Sequence, residues 1–183
     1  DSQTGRRVFG LSIVLARGRT VFVADTTVHD LPTAVEMADI AVQSAEVARR
    51  LGHEPRVAML SYSNFGNPMW DTAGRVRDAV ALLDSRVTDF EYDGEMSADV
   101  ALNPDLRRLY PFSRLSGPAN VLIMPAFHSA NISSKLLQEL GRGTVIGPIL
   151  VGLSKPVQIA NMGASVSDLV NLAALAAHES ARG

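Results

Sequence analysis

The chain has 183 residues, 46% of them hydrophobic, and a formal net charge of −2. That length supports one domain with a sizeable core, and the near-neutral charge gives no electrostatic case for nucleic acid or an anionic membrane. The absence of cysteine excludes disulfides and thiolate metal sites, and it suits a cytoplasmic home. No apolar run approaches the roughly 18 residues of a spanning helix, and no signal-peptide pattern opens the chain. The first residue is Asp1, not Met, which suits a piece of a longer polypeptide.

Residues 8–16 and 20–24 are two β-rich runs around Arg17-Gly18-Arg19, a hairpin pattern. Residues 31–51 read as a helix, with Pro32 in the first turn and Gly52 as the stop. Its alanines at 38, 41, 45 and 48 form a face that lets another helix or the sheet approach closely; with this face, and with part of the domain expected to lie outside the chain, a homodimer is expected that buries some apolar surface between copies. Residues 56–63 form a buried strand that runs into the turn formers Asn64 to Pro68. A helix follows at 70–84, with Val76, Val80, Leu82 and Leu83 inward. Asp89 to Asp93 alternate as a half-exposed strand does, and a helix over 96–110 is interrupted near Asn103-Pro104.

The run Val121-Leu122-Ile123-Met124 suits a strand buried on both faces. Pro125 stops it, and residues 132–140 make a helix with Ile132, Leu136, Leu137 and Leu140 on one face. Strands are expected at 147–153 and 155–159. A last helix follows at 165–177, with Ser165 as N-cap and Asp168 in a capping-box position. Alternating strands and helices give an α/β fold, three layers with a mostly parallel sheet. Ligands bind such sheets at the carboxyl ends of strands, which selects Ser61, Ser63, Asn64, Asp93, Glu95, residues 125–131 and the loops after 153 and 159.

Asp89, Glu91, Asp93 and Glu95 could be drawn as a metal cluster, but the solvated face of an edge-like strand is the favoured reading. His29, His53, His128 and His178 lack metal-ligand spacing, and His128 is read as a solvated loop residue. Gly141 to Gly147 follows a helix and mis-spaces its third glycine, so it is rejected as a dinucleotide loop. Ser61, Ser63 and Ser129 have no nucleophile elbow around them.

The segments ANVLIMP, NI..K..Q, GPILVGLSKPV and VNLAALA together resemble the second half of phosphotransacetylases, the phosphate acetyl/butyryltransferase family. SYSNFGNP at 61–68 and DGEMSADVAL at 93–102 are more similar still to the degenerate copy of that domain at the C-terminus of large bacterial NADP-dependent malic enzymes. The resemblance implies a fold like the second half of that family, of isocitrate/isopropylmalate dehydrogenase type. It also implies that residues 164–183 pack on a first half lying outside this chain.

Where active members carry Ser-Arg-Gly, this chain has Asn161-Met162-Gly163, and where they carry Gln-Arg it has Gln138-Glu139. The family's catalytic aspartate, which is proposed to deprotonate the CoA thiol, matches Asp168. Acyl transfer to phosphate needs fixed cationic donors where negative charge collects. Met162 offers none and Glu139 has the opposite charge, so activity would fall to other arginines such as Arg114 or Arg142. The resemblance therefore implies a catalytically degenerate regulatory domain that binds acetyl-CoA or CoA as an effector and aids oligomerisation. An active phosphate acetyltransferase is the alternative. Ser61, Ser63, Asn64, Pro125, Asn131, Lys135, Asn161 and Asp168 are the candidate contacts. No metal is expected in this domain; NADP and a divalent metal would belong to the malic-enzyme domains of the same chain.

Overall fold

The computed structural model describes residues 2–141 and 143–181. Seven strands form one sheet: β1 (Phe9–Ala16), β2 (Arg19–Ala24), β3 (Arg56–Leu60), β4 (Glu91–Met96), β5 (Val121–Ile123), β6 (Thr144–Val151) and β7 (Val157–Gln158). Their order across the sheet is β4-β3-β5-β2-β1-β6-β7. Strands β2 to β6 run one way, and β1 and β7 run the other, so the sheet is mixed but mostly parallel as expected. The β1–β2 hairpin turns on Arg17 and Gly18, both at positive φ (52° and 71°), where glycine relieves the strain at the second position.

Helices cover both faces, giving the three layers. On one face α1 (Ala34–Arg50) and α2 (Gly74–Asp84) pack over Phe9, Phe22, Val57, Val121 and Ile149, with Leu175 of α6 (Val166–Ser180) at the margin. On the other, α3 (Ala98–Leu102), α4 (Pro104–Arg107) and α5 (Phe127–Leu140) meet Val14, Val23, Ala58 and Leu122. Helix α1 starts later than the sequence suggests. Thr33 is the N-cap in a capping box with Glu36, so Pro32 lies outside the helix and cannot disrupt it. The alanines at 38, 41, 45 and 48 are buried inside this one chain, against the sheet and α2. They let α1 sit close, and for that reason they are not a surface for a second copy.

Two further expectations are corrected. Helix α5 begins at Phe127, five residues early, so His128 occupies its first turn instead of a loop, still exposed. Ile132, Leu136, Leu137 and Leu140 are all exposed on it, and Ala130 is its buried contact. Strand β6 starts at Thr144, and Gly147-Pro148 is a bulge inside it, not its beginning. The pairing with β1 shifts there, from Ile13↔Ile146 to Leu11↔Ile149. Gly147 is at φ 122°, and a Cβ on it would press on the Leu11 carbonyl. The bulge is tolerated because β7 pairs only with Ile149 and Leu150, leaving the first half of β6 at an open sheet edge.

Candidate functional site

A cavity of about 400 Å³ opens at that unpaired edge of β6. Lys135, Gln138 and Glu139 come from the last turns of α5, Val145 to Gly147 from β6, and Asn161, Gly163 and Ala164 from the loop after β7. Asp168 and Leu172 of α6 complete it. Three of the eight candidate contacts, Lys135, Asn161 and Asp168, are thus brought together with the Gln138-Glu139 pair, from segments up to thirty-odd residues apart in sequence. Asn131 lies one turn before Lys135 on α5 and outside the lining.

The cavity is not on the carboxyl rim. Ile146 stands level with Ile13 and Phe22, and Thr144 with Leu15 and Thr20, which is the amino half of the parallel strands. The remaining candidates sit at the other end. Ser61 follows β3, and its amide donates to the Met96 carbonyl (2.9 Å). Ser63 is fully buried and its Oγ donates to Glu95 Oε1 (2.8 Å). Asn64 Oδ1 accepts from the Ser97 amide (2.8 Å) and hydroxyl (3.0 Å). The Pro125 carbonyl accepts from Arg75 (3.5 Å). These groups tie the rim loops to one another, so the predicted site divides into a rim lattice and an edge cavity.

Lys135 is the single cation among the described lining residues, facing two carboxylates, Glu139 and Asp168. Met162 is fully exposed and does not line the cavity. Arg114 is spent elsewhere: it pairs with Asp84 and Asp93 and lies over the Tyr92 ring, 4.7 Å from its centroid. Arg142 lies outside the described residues. Asp168 Oδ2 accepts from both the hydroxyl and the amide of Ser165 (each 2.8 Å), and the Asp168 amide donates back to Ser165 Oγ (3.2 Å). Those bonds from the Ser165 side chain and backbone hold its carboxyl below the usual range, which suits a helix cap better than a base.

The sign follows from that depression. The capping contribution is present at neutral pH, where the carboxylate is charged, and it is lost as pH falls through the lowered folded value. Ser165→Ala is therefore expected to speed amide exchange in the first turn of α6 at neutral pH, with the difference closing in acid. A pH-independent difference would mean that the carboxylate takes no part.

The carboxylates between Asp89 and Glu95 are the second correction. Asp89 is exposed and pairs with Arg49 (2.7 Å), as a solvated residue does. Asp93 and Glu95 are buried. Asp93 accepts from the Ser113 hydroxyl (2.9 Å) and the Arg114 amide (2.7 Å); Glu95 accepts from Ser63, from the Gly66 amide (2.8 Å) and from Arg77 (3.4 Å). Each is surrounded by donors, and among the described residues no group of three acidic or histidine side chains is placed to hold a metal ion. Asp25, which in the sequence marks only the end of the second β-rich run, is a similar anchor. It is buried and accepts from the amides of Gly10, Thr27, Val28 and His29 (2.8–3.1 Å). No described helix is long and apolar enough to cross a membrane.

A family model for phosphate acetyl/butaryl transferases matches residues 1–177. The chain belongs to that family, and within it is similar both to malic enzymes and to phosphate acetyltransferases. It is 66% identical to the NADP-dependent malic enzyme of Rhizobium meliloti over 97% of this chain and 23% of that protein. With the phosphate acetyltransferase of Bacillus subtilis it shares 37% identity, over 90% of this chain and 51% of the other. Among solved structures, a phosphotransacetylase from Streptococcus pyogenes superposes with a TM-score of 0.93 at 33% identity, covering 100% of this chain and 57% of that one. The chain thus spans about a quarter of that malic enzyme and about half of each of those two transferases.

Proposed function

We propose that this chain is the phosphotransacetylase-like regulatory part of an NADP-dependent malic enzyme, binding acetyl-CoA or CoA without turning it over. The observation that carries the reading is the composition of the edge cavity. Its described lining holds Lys135, Glu139 and Asp168 and no arginine, so among those residues Lys135 is the one positive donor for a phosphate leaving group, against two carboxylates. Gln138 and Asn161 still offer amide donors and acceptors, which suit the amides of a pantetheine arm.

The exposed apolar residues of α5 and α6, among them Leu136, Leu140, Leu169 and Val170, flank this cavity. They support the expectation that the transferase fold continues beyond this chain and closes the cleft from that side, and that association involves surfaces other than α1. NADP and a divalent metal would be held by the malic-enzyme portion. The family's transferases, together with the retained Asp168, favour the second reading, an active phosphate acetyltransferase.

Calorimetric titration of acetyl-CoA into the full-length protein and into residues 1–183 tests the proposal. Saturable binding to the full-length protein is expected, with weaker binding to the fragment because one wall of the cleft is missing. No heat with the full-length protein would reject the ligand.

A further inference from the structure

The carboxyl-end rule also selects the loop after Leu153, which belongs to neither the rim lattice nor the edge cavity. That loop closes a larger pocket of about 740 Å³, between the N-terminal segment, the end of α1 and the end of α6. Arg6, Arg50, Lys155 and His178 line it, and Glu179 is the one carboxylate among its described lining residues. The edge cavity has the reverse balance, with Lys135 against Glu139 and Asp168. A second pocket of about 560 Å³ adjoins the first and shares Arg50, Leu51 and His178 with it. Ile13, Leu51, Ile146 and Leu175 give this neighbour an apolar wall. Asn171 adds a carboxamide that makes no hydrogen bond to the described residues.

Backbone contacts hold the larger pocket in shape. The Gln3 amide donates to the Gly152 carbonyl (2.9 Å), and Ser2 bridges Leu153, so the N-terminal segment fixes the start of the loop. Gly152 is at φ 86°, and a Cβ there would run into the Arg7 carbonyl, so this close approach requires glycine. Arg6 is held by Glu46 (2.6 Å). Arg50 and His178 stand in the last turns of α1 and α6, where a basic side chain also answers the helix dipole. Both act on Glu179: burial pushes its carboxyl up, and the charges of Arg50 and His178 draw it back down. Lys155 has no such local role. It is exposed on the loop and pairs with no carboxylate among the described residues.

We propose that the two pockets together bind a nucleotide, its phosphates among Lys155, Arg50 and His178 and its base on the apolar wall of the smaller pocket. Charge decides where the phosphates go. They need an excess of cationic donors, which the larger pocket supplies and the edge cavity does not. A base needs apolar contact and a polar group at its edge. Leu51 and Leu175 offer the first, and the Asn171 carboxamide, which can both donate and accept, offers the second. Both volumes fall in the range of about 300–1,000 Å³ usual for small-ligand sites. The larger pocket also lies beside Val151, at the carboxyl end of β6, where open α/β sheets bind ligands. This site is separate from the edge cavity and does not require acetyl-CoA to bind there.

The test uses the full-length protein, saturated with NADP to fill any dinucleotide site elsewhere, and an azidoadenosine diphosphate photoprobe. Labelling is expected on peptides that carry Leu51 or the stretch from Asn171 to Leu175. Lys155→Glu, a change at an exposed loop position, is expected to raise the concentration for half-labelling roughly tenfold or more. Unlabelled ADP should protect these peptides better than inorganic pyrophosphate or adenosine, because each of those offers only half of the ligand. Protection by acetyl-CoA would identify the nucleotide end of CoA as the source, and labelling that persists in its presence a free nucleotide. Pyrophosphate protecting as well as ADP would overturn the base site. Label confined to other peptides, or unchanged by Lys155→Glu, would overturn the whole proposal. If calorimetry shows no acetyl-CoA binding, the regulatory reading fails, and the labelling still decides this site.

Discussion

The full-length protein is expected to form no acetyl-CoA from acetyl phosphate and CoA above the uncatalysed background. Charge builds on the phosphate and on the carbonyl oxygen during that transfer, and preorganised donors stabilise it best where water is excluded. Removing one such donor from an active site costs about 10²–10³ in rate. Here both positions where the resemblance expects arginine are altered: Met162 is exposed away from the cavity, and Glu139 lines it with the wrong sign. Asp168, the remaining motif residue, is engaged by Ser165 and held in its charged form, which weakens it as a base. Phosphate-dependent turnover can be followed by thioester absorbance. Robust formation of acetyl-CoA that disappears in Asp168→Asn would establish the transferase reading instead.

Glu95→Ala is expected to cost about 3 kcal/mol of stability, at the lower end of the range for breaking a buried charged pair because Arg77 is part-exposed. The substitution strands the buried Ser63 hydroxyl and the Gly66 amide and leaves Arg77 without its counter-charge. Glu95→Gln keeps one acceptor in place and is expected to cost about half as much. Against a total of about 5–15 kcal/mol, the alanine loss is a large share. A urea titration with unchanged slope and a lower midpoint would show it. A change of less than about 1 kcal/mol for alanine would mean that water replaces the missing acceptor.

Local chemistry made much of this fold legible. The Arg17-Gly18 hairpin, the apolar period of α1 and the Ser165–Asp168 capping box depend on neighbours within a few residues, and each stands where its pattern placed it. Asp93 and Glu95 are buried against expectation because alternation along β4 is compatible with solvent until other segments arrive. The loops at 61–66 and 113–114 cover them, from about thirty and twenty residues away. The β6 bulge looks like a strand start in the sequence because Gly-Pro ordinarily punctuates an element; an open edge is what permits it inside one. The apolar stripe of α5 was correctly periodic, but periodicity does not say whether the covering partner lies in the same stretch of chain.

The candidate site divides along the same line. Motif resemblance brought Lys135, Gln138, Glu139, Asn161 and Asp168 into one cavity. The carboxyl-end rule points to Ser61, Ser63, Asn64 and Pro125, whose polar groups hold the rim loops together, and also to the loop after 159, which carries Asn161 into the cavity because β7 runs against β6. That rule fits the parallel half of the sheet. The cavity lies in the other half, where β1 and β7 run against their neighbours.

The regulatory account is tested most directly by removing this domain. The full-length protein and a still-folded variant lacking residues 1–183 would each be titrated with acetyl-CoA while malate oxidation is followed. The account predicts inhibition of the intact enzyme with a coupling of about 1–3 kcal/mol, or roughly 5- to 150-fold in affinity, and no response in the truncated one. Because linkage is reciprocal, ligands that favour the active malic-enzyme state should weaken acetyl-CoA binding by the same factor. A truncated enzyme that responds to acetyl-CoA as the intact one does would show that the sensor lies elsewhere.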